Sequence, residues 1–191
     1  MHLDVVTAPA AEPVLIATAK AHLRVDGSDE NDLITALIVA ARQYVETHCG
    51  IALITQTLKL SLDGFADKIR LPRSPVTGIT QIAYVDTDGT TVTVVSASNT
   101  LWRLGAGPMQ SVVTPYFDTA WPDTADVPAA VQITYTAGFG AAGTSVPGAI
   151  TQAMLLLIGH WYKNREAVGE QQFQLPLAVD ALLAPYVVPV V

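Results

Sequence analysis

Four groups of residues have types and spacing that could do chemistry. Gly138-Phe139-Gly140-Ala141-Ala142-Gly143 reproduces G-x-G-x-x-G, the spacing with which a dinucleotide-binding turn cradles a pyrophosphate. It follows a strand pattern and precedes a helix pattern, as that fingerprint requires. Thr144-Ser145-Val146-Pro147 intervene, however, so the helix N-terminus that would hold the phosphates starts too late. No parallel βαβ pattern follows, and the stretch reads as a flexible glycine loop. Asp86-Thr87-Asp88-Gly89 opens like a calcium loop, but its twelfth position would be Ala97 where a bidentate glutamate is needed. A hairpin turn explains it better. His48-Cys49 offers two soft ligands side by side, yet Cys49 is the single cysteine of the chain. His2, His22, His48 and His160 lie on separate segments, and none has a His or Cys partner three or four residues away. No metal and no cofactor are expected.

Nucleophilic catalysis has less to rest on. No G-x-S-x-G elbow is present, and no serine sits where a base would activate it. His160 and Glu166 resemble a base and its orienting carboxylate, but their spacing puts them on nearly opposite faces of a helix. No catalytic residue is assigned, and the chain is not expected to be an enzyme.

The composition narrows the classes further. Half of the 191 residues are apolar, 14% are charged, and the net charge is -7. That balance describes an ordered chain with a substantial core rather than an acidic disordered tail. Arg70 with Arg73, and Lys163 with Arg165, are the densest basic spots. A protein that grips nucleic acid by its phosphates needs a positive stripe, and this sequence has none. A lone cysteine excludes an internal disulfide. The opening MHLDVVTAPAAEP has neither the basic nor the apolar region of a secretory signal. The longest apolar run, Ala153 to Ile158, falls far short of the roughly 20 residues that span a bilayer. The expectation is a soluble protein made inside the cell, with no membrane association.

The elements that must position any site follow from hydrophobic period. From Pro13 to Gly50 the period is helical. A short helix around Thr18 to Val25 ends at Asp26-Gly27, and Ser28-Asp29-Glu30-Asn31-Asp32 supplies a cap and an acidic first turn for the next. Leu33, Ile34, Leu37, Ile38, Ala41, Tyr44, Val45 and His48 then form an amphipathic stripe, stopped by Gly50. From about Ala52 to Tyr135 the period is two. Strands are predicted at Thr55 to Leu62, Ile69 to Leu71, Ile79 to Val85, Thr91 to Val95, Leu101 to Leu104, Ser111 to Pro115 and Val131 to Tyr135. Helical period returns after Pro147, and a short helix near Val179 to Leu183 follows a polar linker, 170–172. The fold class is α+β. A small helical bundle from residues 1–51 and 146–191 carries an inserted antiparallel sheet or small barrel over 52–145.

One helix is unusual. In AMLLLIGHWYKNREAV, residues 153–168, Met154, Leu157, Ile158, Trp161 and Tyr162 share a face, but Leu155 and Leu156 lie off it. A helix apolar all round needs cover on more than one side, and in a short chain part of that cover can come from another subunit. Trp, Tyr and Arg are enriched among residues that dominate interfaces, whereas Trp161 and Tyr162 filling the core is the plainer alternative.

Three stretches resemble the phage head–tail connector proteins, also called adaptor or head-completion proteins, of tailed phages and gene transfer agents. They are KAHLRVDGSDENDLITALIVAARQYVETHCGIAL at 20–53, TAGFGAAGTSVPGAITQAMLLLIGHWYKNREAV at 136–168 and LPLAVDALLAPY at 175–186. The first is similar to that family's opening K-x-H-L-R-V, acidic loop and L-I-x-x-A-R-x-Y-x-E. The second is similar to its closing helix, Y-T-A-G, V-P-x-A-I and W-Y-x-N-R-E. Cys49-Gly50-Ile51 departs from a commoner Gly-Arg, and the tail after Tyr186 is more apolar than usual.

The resemblance implies a structural virion protein of the head–tail neck: a homo-oligomeric ring, dodecameric in the particle, seated beneath the portal protein. DNA would pass through it toward the tail without specific binding, as a negatively charged conduit favours. It further implies contact with a downstream neck or tail-completion protein. The interface residues it suggests are Trp161, Tyr162, Lys163, Arg165, Glu166, Leu182, Leu183, Tyr186, Val187 and Val188. The apolar stretch from Pro185 to Val191 is expected to be ordered only under a partner. Other readings are a different neck subunit, a nucleotide-binding protein resting on the glycine loop, or a small-ligand barrel.

Overall fold

Each change of hydrophobic period marks a change of secondary structure in the computed structural model, which describes residues 1–98, 101–107, 110–164 and 177–188. The elements run β1 (His2–Thr7), α1 (Ile16–Leu23), α2 (Asn31–Cys49), β2 (Gln56–Leu62), β3 (Ile69–Leu71), β4 (Val76–Val85), β5 (Thr91–Val95), β6 (Trp102–Gly105), β7 (Ser111–Pro115), β8 (Val131–Ala137), α3 (Gly148–Lys163) and α4 (Leu177–Leu183). They fall into two compact units. One holds Met1–Pro9 and Thr55–Gly138; the other holds the described residues of Ala10–Ile54 and from Phe139 onward. The expected α+β class is borne out. Among the described residues the strands form two open antiparallel sheets and no closed barrel.

In the β unit, the larger sheet has the order β1-β2-β8-β4-β5 and the smaller β3-β7-β6. Alternation of buried positions along β2 and β8 explains why these two segments pair as they do. Leu60, Ile133 and Ile82 stand in one cross-strand row through β2, β8 and β4, and all three are fully buried. Such rows of facing side chains are the unit by which a sheet is stabilised. Tyr135 of β8 is also buried, and its hydroxyl donates to Pro72 O at 2.8 Å, tying the large sheet to the end of β3. Burial pushes that phenol well above the ordinary tyrosine range. The β4–β5 connection is the predicted hairpin: Asp86 Oδ1 accepts the backbone N–H groups of Asp88 (3.0 Å) and Thr90 (2.8 Å), with Gly89 at φ 80°. The carboxylate that suggested calcium is committed to its own turn.

The strand β1 has no counterpart among the expected strands. It lies at the sheet edge with Val5 and Val6 exposed, so its side chains show little of the alternation that a half-buried strand displays.

In the helical unit, Ile34, Ile38, Ala41, Val45 and Cys49 form the buried stripe of α2, and Gly50 at φ 68° closes it as expected. His48, placed on that stripe from sequence, is exposed, and Cys49 takes the buried position. Ile150, Ala153, Met154, Leu157 and Ile158 of α3 pack into the same core, with Val179 and Leu183 of α4. Two expectations are corrected. The α1 helix ends at Arg24, in the left-handed region at φ 57°, before Asp26-Gly27 is reached. The acidic stretch before α2 supplies Asp32 to the first turn but no side-chain cap; Glu30, at the cap position, accepts the Tyr162 hydroxyl instead.

The glycine loop is filled by its own chain. A Cβ on Gly140 would lie 2.4 Å from Ser145 Oγ, and one on Gly143 would lie 2.6 Å from Pro13 O. The loop is therefore a packed turn and not an open one. Backbone carbonyls crowd Gly143, where a phosphate would need N–H donors.

Candidate partner interface

The aromatic end of α3 is built from three helices. Trp161 meets Tyr44 of α2 edge to face, with ring centroids 6.0 Å apart at 83°; Tyr44 in turn stacks on His48 at 5.6 Å and 10°. Such aromatic pairs contribute about 0.5–1.5 kcal/mol beyond their buried area. Burial, then the nearby charge of Asp180 on α4, pushes the Tyr44 hydroxyl above its ordinary range. The adjacent Tyr162 donates its hydroxyl to Glu30 at the start of α2. Both aromatics thus have work inside the chain, and both remain half-buried rather than enclosed.

The segment after α4 completes the same surface. The Val188 N–H donates to Cys49 O at 2.9 Å, satisfying one of the last carbonyls of α2. Leu182, Tyr186 and Val188 rest against the helical core. Val187 is 38% exposed, and Lys163 is exposed at the end of α3. Two of the expected positions need restating. Leu183 has no exposed surface, because it faces inward on α4 beside Val179, so it supports the surface without reaching it. As far as Val188 the apolar tail is seated on its own chain only through Tyr186 and Val188, while Pro185 and Val187 stay exposed; Pro189 to Val191 lie outside the described residues, as do Arg165 and Glu166.

Sequence reasoning overlooked a buried polar node on α2. Glu46, 2% exposed, accepts the Leu53 N–H at 3.0 Å and pairs with Arg42 at 3.1 Å; Arg42 also reaches Glu12 at 2.8 Å. Burial would lower the Arg42 pKa, but the bonds and charges of Glu12 and Glu46 raise it overall. The one available signal was the i,i+4 spacing of Arg42 and Glu46. The histidines do not converge. His2 bonds Asp4, His22 rests against Gly159, His48 stacks on Tyr44, and His160 lies beside Asn164. Among the described residues no group of three or more His, Cys, Asp or Glu could hold a metal ion, and no helix is long and apolar enough to cross a membrane.

What this arrangement can do is bind. It offers aromatic and aliphatic side chains held in place by their own chain, with a lysine at the margin.

Residues 14–93 match the family described as phage gp6-like head-tail connector protein. No curated protein matches the chain. Among solved structures, a chain from the neck of an empty gene transfer agent (GTA) particle computed with C6 symmetry aligns with a TM-score of 0.82 at 26% identity, covering 100% of this chain and 97% of that chain. A chain from the virion of a native GTA particle gives 0.81 at 26% identity, with the same coverage. A chain from the neck of a native GTA particle computed with C12 symmetry gives 0.79 at 27% identity, again covering 100% and 97%. The family resemblance read from the sequence is thus borne out: the chain carries the signature of the phage gp6-like head-tail connector family over residues 14–93 and, along its whole length, the fold of a gene transfer agent neck subunit.

Proposed function

We propose that the chain is a structural subunit of a virion or phage-like particle, the head–tail adaptor that joins the portal to the tail and surrounds the path of DNA. The observation that carries this is the alignment of all of this chain, and 97% of the other, with subunits of a GTA neck. The symmetry of those necks, C6 in one and C12 in another, supports a ring, and the C12 case supports twelve copies. The helical segments build the ring and the β segment is carried as an insert. Trp161, Tyr162, Lys163, Leu182, Tyr186, Val187 and Val188 form the contact with neighbouring copies and with the portal, joined by Arg165 and Glu166. The net charge of -7 supports a conduit, because a negative wall does not retain phosphates. The protein is a part and not a catalyst.

The test is genetic and visual. Particles made without this chain should accumulate as filled heads beside unattached tails, and imaging of complete particles should find the chain at the neck. Normally tailed particles in its absence would refute the proposal.

A further inference from the structure

The β unit carries an aromatic feature that its core does not use. After β7 the chain makes a tied turn at Tyr116–Thr119. Tyr116 N–H donates to Leu101 O at 3.1 Å, and both the N–H (3.1 Å) and the hydroxyl (2.8 Å) of Thr119 donate to Tyr116 O. Asp118 takes the left-handed conformation at φ 58°, which aspartate adopts more readily than most residues. The turn holds Phe117 79% exposed and Tyr116 49% exposed. A large apolar ring fixed in water on a turn with its own hydrogen bonds is preorganised for a partner, so little ordering entropy opposes its capture.

The neighbouring loops supply the chemistry around it. Trp121 stacks flat on Phe65 at 4.4 Å and 4°, and its ring N–H donates to Ala66 O at 2.8 Å, fastening the loop after β2 to the loop after β7. Those two loops, residues 63–68 and 116–130, hold Asp63, Asp67, Asp118, Asp123 and Asp126 against Lys68 alone, and all five aspartates are exposed. Arg103 of β6, exposed across from Thr114, offsets one of these charges, and the acidic excess that remains around the aromatic knob fits an apolar socket rimmed by lysine or arginine. A second copy of this chain is a poor candidate for that socket, because its sequence has no basic cluster to form the rim.

We propose that the Tyr116–Phe117 turn is a docking knob for a different protein of the particle, one presenting an apolar socket with a basic rim. This rests on the neck assignment, and the experiment separates the two. Photoreactive benzoylphenylalanine is placed at position 117, particles are purified and irradiated, and the adducts are sequenced by mass spectrometry. The chain should be present in the particles, and position 117 should couple to a different protein within a segment containing Lys or Arg. Phe117→Ala, which leaves every hydrogen bond of the turn intact, should weaken retention of that protein at least about tenfold, as loss of an aromatic anchor does. Coupling to another copy of this chain, or no coupling in particles that contain it, overturns the knob while leaving the neck assignment intact. Absence of the chain from particles overturns the neck assignment and the knob with it.

Discussion

Removing the Glu46 carboxylate should unfold the helical unit more readily than any surface change, and the structure sets the size of the effect. In Glu46→Ala, the Leu53 N–H loses its acceptor in a buried setting, which costs about 1–3 kcal/mol. Arg42 loses one of two carboxylates and keeps Glu12, so only part of the roughly 3–5 kcal/mol typical of a broken buried pair applies. Together these give about 3–4 kcal/mol. Glu46→Gln retains a carbonyl for the Leu53 N–H and gives up only the charge, so about 1–2 kcal/mol is expected. Glu12→Ala removes the more exposed partner and leaves Arg42 with Glu46, so it should cost roughly 1 kcal/mol or less. Urea denaturation followed by the helical circular dichroism signal measures all three. A Glu46→Ala variant within about 0.5 kcal/mol of the parent, or a Glu12→Ala variant that costs more than Glu46→Ala, would refute the reasoning.

Two further outcomes follow from burial and close approach. Burial raises the Cys49 thiol to about 11, so only about one molecule in a thousand carries the thiolate at pH 8. Native alkylation by iodoacetamide should be at least about a hundredfold slower than in the unfolded chain, and a rate near that of a free thiol would show that α2 opens. Gly143→Ala drives a methyl group to 2.6 Å from Pro13 O and 3.0 Å from Glu12 O, both backbone atoms, and should cost about 1–3 kcal/mol. Gly148→Ala meets nothing within 4 Å and should be neutral or stabilising by up to about 1 kcal/mol; thermal denaturation that ranks the two the other way would contradict the packed loop.

How much was legible depended on whether a signal is local. Ile69–Leu71, Thr91–Val95 and Ser111–Pro115 were found at their observed bounds because alternation and turn residues are written in neighbouring positions. The Gly50 stop was legible for the same reason. His2–Thr7 was not, since an exposed edge strand has no buried face to impose a period. Arg24 closing α1 in the left-handed region ran against residue preference, which Gly27 would have satisfied better. The site was half legible. The excess of apolar residues on α3 was visible, but Tyr162 finds Glu30 at a separation of 132 residues, and no local pattern announces that bond. Leu182 and Leu183 are chemically alike, and only the packing of α4 decides that one faces partly outward and the other inward.

That packing also reshapes the demand placed on neighbours. A helix apolar all round needs cover on more than one side, yet Ile150, Ala153, Met154, Leu157 and Ile158 are fully enclosed by the chain itself. The tail contributes through Val188, which closes over the end of α2 by a backbone bond. What is left on α3 is Leu155, Leu156, Trp161 and Tyr162, each half-buried, with Leu182, Tyr186 and Val187 beside the helical core. A surface of that kind is a set of partly buried side chains and not an open core. Its strength in the proposed ring has to come from aromatic anchors already oriented by Tyr44 and Glu30, because little side-chain freedom is lost when such groups are captured. The ring contact of Trp161 with Tyr44 and the hydrogen bond of Tyr162 to Glu30 are therefore compatible with an interface, and are the means by which this chain would make a narrow one sufficient.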